Sequence, residues 1–250
     1  FCKKILIKNS NSYQKILKKK KYNLFINCET NNENYKKFFN NSFKKDYHSY
    51  AYTLIINHVK TKNIKASQIF TKLGPIAFLP ISKNKTSVVF SKKNEKIVLN
   101  QKMLEEVIKK YNQNYEIKNF GKFEKFKLNF SVVRNYYHKQ VMILGDGLHK
   151  IHPLAGQGFN MTLRDIKILS KIINSRIDLG LELNHSIYEE FEKKTKRFNL
   201  VFASGVDFIY EFFKFDNEFK NKYSTRLIKI FGKNKIFKYF FSNYADKGLI

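Results

Sequence analysis

The sequence predicts an α/β (α+β) chain: part of an α/β domain, an inserted and mainly antiparallel β-sheet, a return to the α/β domain, and a helical C-terminal region. Three observations predict it. The four-residue apolar run Val141–Leu144, set between Gln140 and Gly145-Asp146, reads as a buried parallel strand. From Ser49 to Val133, β-branched and aromatic residues gather in short runs separated by polar turns. Beyond Asn184 the apolar residues recur at helical spacing. The expected divisions are 1–45 for the first part of the α/β domain, 46–135 for the sheet, 136–180 for the return and 181–250 for the C-terminal helices.

Taken in order, Tyr22–Asn27 is a short apolar run that reads as one buried strand, and the polar stretch Cys28–Asn34 reads as a loop. Tyr50–Val59 and Ala66–Thr71 read as strands. After a break at Gly74-Pro75, Ile76–Ile81 and Thr86–Ser91 form a hairpin around Ser82–Lys85. Asn100 caps a helix running through Lys110, with Met103, Leu104, Val107 and Ile108 on one face. Phe123–Val133 returns to strand, with Phe126, Leu128 and Phe130 alternating. A helix covers Phe159–Ile177, and Phe208, Phe212, Phe215 and Phe219 fall on a stripe that reads as core.

With 48 Lys+Arg against 20 Asp+Glu, the 250 residues carry a formal charge of +28, which invites a nucleic-acid reading. The composition argues against it. Only Arg134, Arg164, Arg176, Arg197 and Arg226 supply the guanidinium that forks onto bases and phosphates. The lysines are spread evenly, as a coding bias would spread them, and no nucleic-acid partner is expected. Cys2 and Cys28 lack metal or redox spacing and fit a reducing compartment. No run approaches the ~18 apolar residues of a membrane-spanning helix. Phe1-Cys2-Lys3-Lys4 lacks both an initiator Met and a signal-peptide core, so the chain is expected to begin inside a longer protein.

Chemistry concentrates between Val141 and Asp165, where four of the ten glycines (145, 147, 156 and 158) stand close together. A buried strand ending in Gly145-Asp146 places a carboxylate at the carboxyl edge of a sheet, where open α/β folds bind ligands. A carboxylate there accepts hydrogen bonds from sugar or ribityl hydroxyls. Gly156-Gln157-Gly158 leads into a helix whose first N–H groups favour partial negative charge, and its glycines let a flat ring approach the backbone. His149 and His152, at i and i+3, lack a third and fourth ligand nearby, so no metal is expected. Asp165 reads as structural.

In order, Gly145, Asp146, His149, Pro153, Gly156, Gln157, Gly158, Asn160 and Asp165 resemble the second flavin motif of the para-hydroxybenzoate-hydroxylase-like flavoprotein monooxygenases. Within that superfamily, His152-Pro153 and Leu-Ala-Gly-Gln-Gly-Phe-Asn (154–160) are similar to the ubiquinone-biosynthesis hydroxylases. So are the blocks 66–80 and 87–91, and the resemblance covers residues 22–250. It implies a partial FAD-binding, Rossmann-like domain with an inserted substrate sheet. The chemistry implied uses FAD, NAD(P)H as reductant and O2, passing oxygen from a flavin C4a-hydroperoxide to the ring of a prenylated phenol, with no catalytic protein nucleophile. By position, Asp146 binds the ribityl chain and Gly156-Gln157-Gly158 lies against the flavin ring. Gly145, His149, Pro153 and Asn160 complete the cofactor set. The strand from Gly74 to Ile81 lines the phenol pocket through Pro75, Ala77 and Leu79. Gln68 reads equally as a pocket residue and as an outward strand position.

Two features depart from the family. No glycine precedes Gly74, so the first flavin motif, Gly-x-Gly-x-x-Gly, is absent from these residues. Cys28-Glu29-Thr30-Asn31-Asn32 stands where the family has Asp-Gly, with Glu29 in the place of the Asp. The 250 residues alone are expected to hold FAD poorly, because the pyrophosphate-binding turn is missing. The alternative is a truncated, non-catalytic homologue serving as a scaffold in a quinone-biosynthesis complex. The basic segment Lys229–Lys238, interleaved with Phe231, Ile236 and Phe237, reads either as a solvated helix face or as a contact with anionic lipid. The expected location is cytoplasmic, with peripheral association on the inner face of the cell membrane where that contact is made.

Overall fold

A computed structural model describes residues 22–30, 33–93, 98–153 and 157–219. The basic segment 229–238 and Gly156 lie outside them. The chain divides into two compact units, one of residues 1–44 and 130–206, the other of residues 45–129 and 207–250. Each is described by itself.

In the first unit, β1 (Phe25–Asn27) pairs in parallel with β9 (Val141–Ile143), matching Phe25 to Val141 and Asn27 to Ile143. The short strand β8 (Tyr137–His138) closes the other edge of β9, antiparallel. All three residues of β9 are buried, as a parallel strand covered on both faces requires. β1 is shorter than the run Tyr22–Asn27, and Tyr22 is exposed. The last two residues of the polar stretch Cys28–Asn34, expected to be loop, open a helix, α1 (Glu33–Phe38), which sends Tyr35 and Phe39 to the core. A turn of 3-10 helix (Gly145–Gly147) follows β9 and leads to β10 (His149–Lys150), which pairs with Val132 and Ser131. Two long helices complete this part of the chain, α3 (Gln157–Asp178) and α4 (Ser186–Phe219). Leu169 and Ile172 of α3 meet Ile187, Tyr188 and Phe191 of α4 over Met142 and Ile143 of the sheet.

The second unit is a twisted antiparallel sheet in the order β7-β2-β5-β4-β3, with β6 (Ile117–Phe120) also on β2. Its strands are β2 (Ser42–His58), β3 (Ser67–Thr71), β4 (Gly74–Ser82), β5 (Lys85–Lys93) and β7 (Glu124–Val133), β2 and β7 running on into the first unit. β2 starts eight residues earlier than its apolar run, because Ser42–Ser49 joins the ladder through backbone groups rather than through an apolar face. The β4–β5 hairpin forms where the turn residues placed it. Its register slips between Pro80 and Ser82, since Pro80 has no N–H to give the ladder. Tyr52, Leu54, Ile56, Ile76, Phe78, Val88 and Phe90 share one face, which α2 (Gln101–Tyr111) covers with Leu104 and Ile108. Asn100 caps α2 by accepting from the Met103 N–H at 2.9 Å. Met103 itself faces solvent, because the buried stripe runs 104, 107, 108 and 111.

Beyond Phe191, the buried positions on α4 are Thr195, Asn199, Phe202, Ala203, Val206 and Tyr210 among the described side chains. Phe208 is 69% exposed, so the stripe read as core from Phe208 is displaced there. The side chains of Phe212, Phe215 and Phe219 lie outside the described residues. No helix among the described residues is long and apolar enough to cross a membrane.

Candidate cofactor site

The first unit gathers the residues of the Gly-Asp segment around the carboxyl end of β9. The parallel pair carries the chain to Leu144, whose N–H donates to the Asn27 carbonyl at 3.1 Å, and the 3-10 turn then reverses it. Gly145 opens that turn at φ +69°, a left-handed conformation that favours glycine, and the space where a Cβ would stand is nearly open. Asp146 follows with its side chain exposed. On the far side the Tyr35 hydroxyl donates to the Gly147 carbonyl at 3.0 Å and pins the turn to α1.

Gln157 and Gly158 are the first two residues of α3, two positions earlier than the apolar pattern placed its start. The Gln157 Oε1 is enclosed without a partner among the described residues. Pro153 is half-buried and Asn160 is exposed. His149 does not reach toward solvent with Asp146. It is 3% exposed, and its Nε2 lies 2.7 Å from the Asp165 carboxylate. His152 is also buried, at 1% exposure. No group of three His, Cys, Asp or Glu among the described residues is placed to hold a metal ion.

These residues fit a ribityl-bearing cofactor. An exposed carboxylate tops a parallel strand, an open glycine stands beside it, and a helix N-terminus follows whose Gln157 Oε1 has no partner among the described residues. At the neighbouring strand end, Asn27 Oδ1 accepts from the Glu29 N–H at 3.0 Å and shapes the turn in which Glu29 is exposed.

In the second unit the four residues expected in a substrate pocket fall on one face. Gln68 pairs with Ala77 across β3 and β4, and directly paired residues point the same way. Pro75 and Leu79 lie two positions either side of Ala77 and share its face. That face is opposite the one α2 covers. Ala77 is buried, while Gln68, Pro75 and Leu79 are half-buried.

Residue types alone did not show Asn199, Tyr35 or the role of Asp165 as a hub. Asn199 Nδ2 donates to both oxygens of Asp165, at 3.1 and 3.2 Å. The only sequence signal was the position of Asp165 within the flavin-like motif.

The family model for squalene epoxidase matches residues 21–233. The mitochondrial ubiquinone biosynthesis monooxygenase COQ6 of Caenorhabditis elegans is 24% identical over 220 residues, covering 70% of this chain and 48% of that protein. The 3-demethoxyubiquinol 3-hydroxylase of Escherichia coli is 27% identical over 170 residues, covering 64% of this chain and 44% of the other. Among solved structures, p-nitrophenol 4-monooxygenase from Pseudomonas putida superposes with a TM-score of 0.71 at 10% identity, over 90% of this chain and 59% of that one, and shows the same fold. The chain thus spans about half the length of the relatives it matches. These likenesses bear out the mixed α/β fold with its antiparallel sheet and the resemblance to ubiquinone-biosynthesis hydroxylases. The chain belongs to the squalene epoxidase family of FAD-dependent monooxygenases.

Proposed function

We propose that this protein is a flavin-dependent monooxygenase that hydroxylates the phenolic ring of a prenylated ubiquinone precursor, with FAD as cofactor, NAD(P)H as reductant and O2 as oxidant. The observation that carries it is the exposed Asp146 carboxylate at the end of a buried parallel strand, on a turn that packs against α3. FAD, when bound and reduced, supplies the activated oxygen, so the protein's task is to hold and orient it. Asp146 accepts hydrogen bonds from the ribityl chain. Gly145 and Gly158 leave room for the cofactor, and the N-terminus of α3 supports negative charge on its ring. On the second unit, Pro75, Ala77 and Leu79 give an apolar strand face suited to an aromatic ring and its prenyl tail. Gln68, in register with Ala77, offers that ring a hydrogen-bonding partner. A substrate with a prenyl tail favours work at a lipid surface, with the basic C-terminal segment as the contact.

Titration of the 250-residue chain with FAD, read by quenching of flavin fluorescence, tests this. Binding that weakens about tenfold in Asp146→Ala, a loss of about 1.4 kcal/mol, is the expected result. The 250 residues are expected to bind weakly, so the comparison decides: Asp146→Ala binding FAD as well as the unsubstituted chain overturns the cofactor reading. That result would leave the second reading, a non-catalytic scaffold in a quinone-biosynthesis complex.

A further inference from the structure

His149, Asp165 and Asn199 come from three separate elements, β10, α3 and α4, and meet at one buried carboxylate. Asp165 is 0% exposed, Asn199 0% and His149 3%. A carboxylate only accepts, so the His149 Nε2 carries the proton that bridges the 2.7 Å to Asp165. Asn199 Nδ2 donates to both carboxylate oxygens. Tyr136, whose phenol burial holds well above its ordinary value, faces the same pair. His149 Nδ1 has no partner among the described residues, so the ring is held from one side only, through Asp165.

The position of this cluster gives it a consequence. His149 is three residues from Asp146, and between them the Leu148 N–H donates to the Gly145 carbonyl at 2.8 Å, closing the turn that carries the carboxylate. The Leu148 carbonyl accepts from the Val133 N–H at 3.1 Å. Tyr35 holds the middle of the turn and the buried His149 holds its end. A turn pinned at both places has little freedom to re-aim Asp146. A buried carboxylate also needs its donors, because leaving it uncompensated is strongly unfavourable.

We propose that Asp165 and Asn199 are positioning residues for the cofactor: through His149 they fix the Gly145–Gly147 turn and so aim Asp146. This rests on the reading of Asp146 as a flavin contact. Neither residue touches the cofactor. Their effect on binding therefore passes through Asp146 and disappears once that carboxylate is gone.

A double-substitution cycle with the full 250-residue chain tests the point. Asp165→Asn keeps size and shape, and is expected to weaken FAD binding about tenfold. In the Asp146→Ala background the same change is expected to weaken it by less than about twofold. Equal fold losses in both backgrounds would mean a general structural role and overturn the proposal. A second measurement needs no flavin. Amide hydrogen exchange in Asp165→Asn, and in Asn199→Ser as the other arm of the cluster, is expected to rise about tenfold for Leu148 and its neighbours in the turn, with the helix interiors of α3 and α4 unchanged. Unchanged exchange in the turn, or a uniform rise across the unit, overturns the clasp. Asp146→Ala binding FAD as well as the unsubstituted chain would defeat the flavin reading of Asp146, and the proposed aiming of the cofactor with it, whereas the exchange result reads the hold on the turn by itself.

Discussion

Gly74 lies so close to Ser91 that a Cβ at position 74 would overlap the Ser91 carbonyl oxygen, and its φ of +135° is one that side chains rarely adopt. The clash is with backbone of the neighbouring strand β5, which cannot swing aside as a flexible side chain would. Gly74→Ala is therefore expected to destabilise the second unit by about 3 kcal/mol or more. Urea unfolding should show the midpoint falling steeply. A variant as stable as the parent would show that β4 and β5 separate here at little cost.

Asn63 holds a loop to the same hairpin. Its Nδ2 donates to the carbonyls of Ser82 (2.7 Å) and Lys85 (3.0 Å) and to the Thr86 hydroxyl, while its Oδ1 accepts from Tyr115. Thr86 in turn lies 3.0 Å from the buried His58 Nε2. Asn63→Ala strips partners from several groups at once, and a loss of about 2–3 kcal/mol is expected. Thermal unfolding of this variant beside Thr86→Val would show non-additive losses if the groups act as one network.

Acid stability should depend in part on Glu190. The hydrogen bond from Lys194, at 2.7 Å, lowers its carboxyl below the ordinary range; partial burial opposes this, and Arg176 at 3.4 Å adds to the lowering. A carboxyl lowered in the folded state stabilises it above the unfolded pKa of about 4.3, and that support is lost as pH falls through the folded value. The pair is near the surface, so Glu190→Gln is expected to cost only about 0.5 kcal/mol at neutral pH. Below about pH 4 the difference between variant and parent should shrink toward zero. Urea midpoints across that range give the comparison, and a constant difference would refute it.

Cys28 is exposed, and partial desolvation by its surroundings, then the adjacent Glu29 carboxylate, raises its thiol above the ordinary value. Thiolate is the reactive form, so at neutral pH Cys28 should react with a disulfide reagent more slowly than an unperturbed cysteine. With Cys2 replaced by Ser, the single remaining rate can be read directly. Glu29→Gln is expected to speed it, and no change would remove the charge as a cause.

The sequence made the elements with strong local signals readable. Asn100 names the start of α2, Ser82–Lys85 names a hairpin, and the unbroken Val141–Leu144 names a buried strand. It hid the elements whose reason is distant. The residues of α1 are polar, and only Tyr35 and Phe39 reveal an inner face. Ser42–Ser49 joins β2 through backbone pairing that no apolar pattern announces. At the site, Asp146 and the helix start were legible because strand, glycine and carboxylate adjoin in the chain. Asn199 was not, because it reaches Asp165 from 34 residues away on another helix. The motif placed His149 with the cofactor; that the ring is buried against Asp165 was not legible.

Residue 25 pairs with residue 141, and every strand of the antiparallel sheet except β10 lies between them in the chain. During synthesis, therefore, Phe25–Asn27 emerges before the sheet and has no β9 to join until more than a hundred further residues have been made. The hairpins of the sheet close over short distances and are free to assemble in that interval. Maturation of the carboxylate-bearing turn is thus a late event, set by the arrival of Val141 rather than by the speed of any local step.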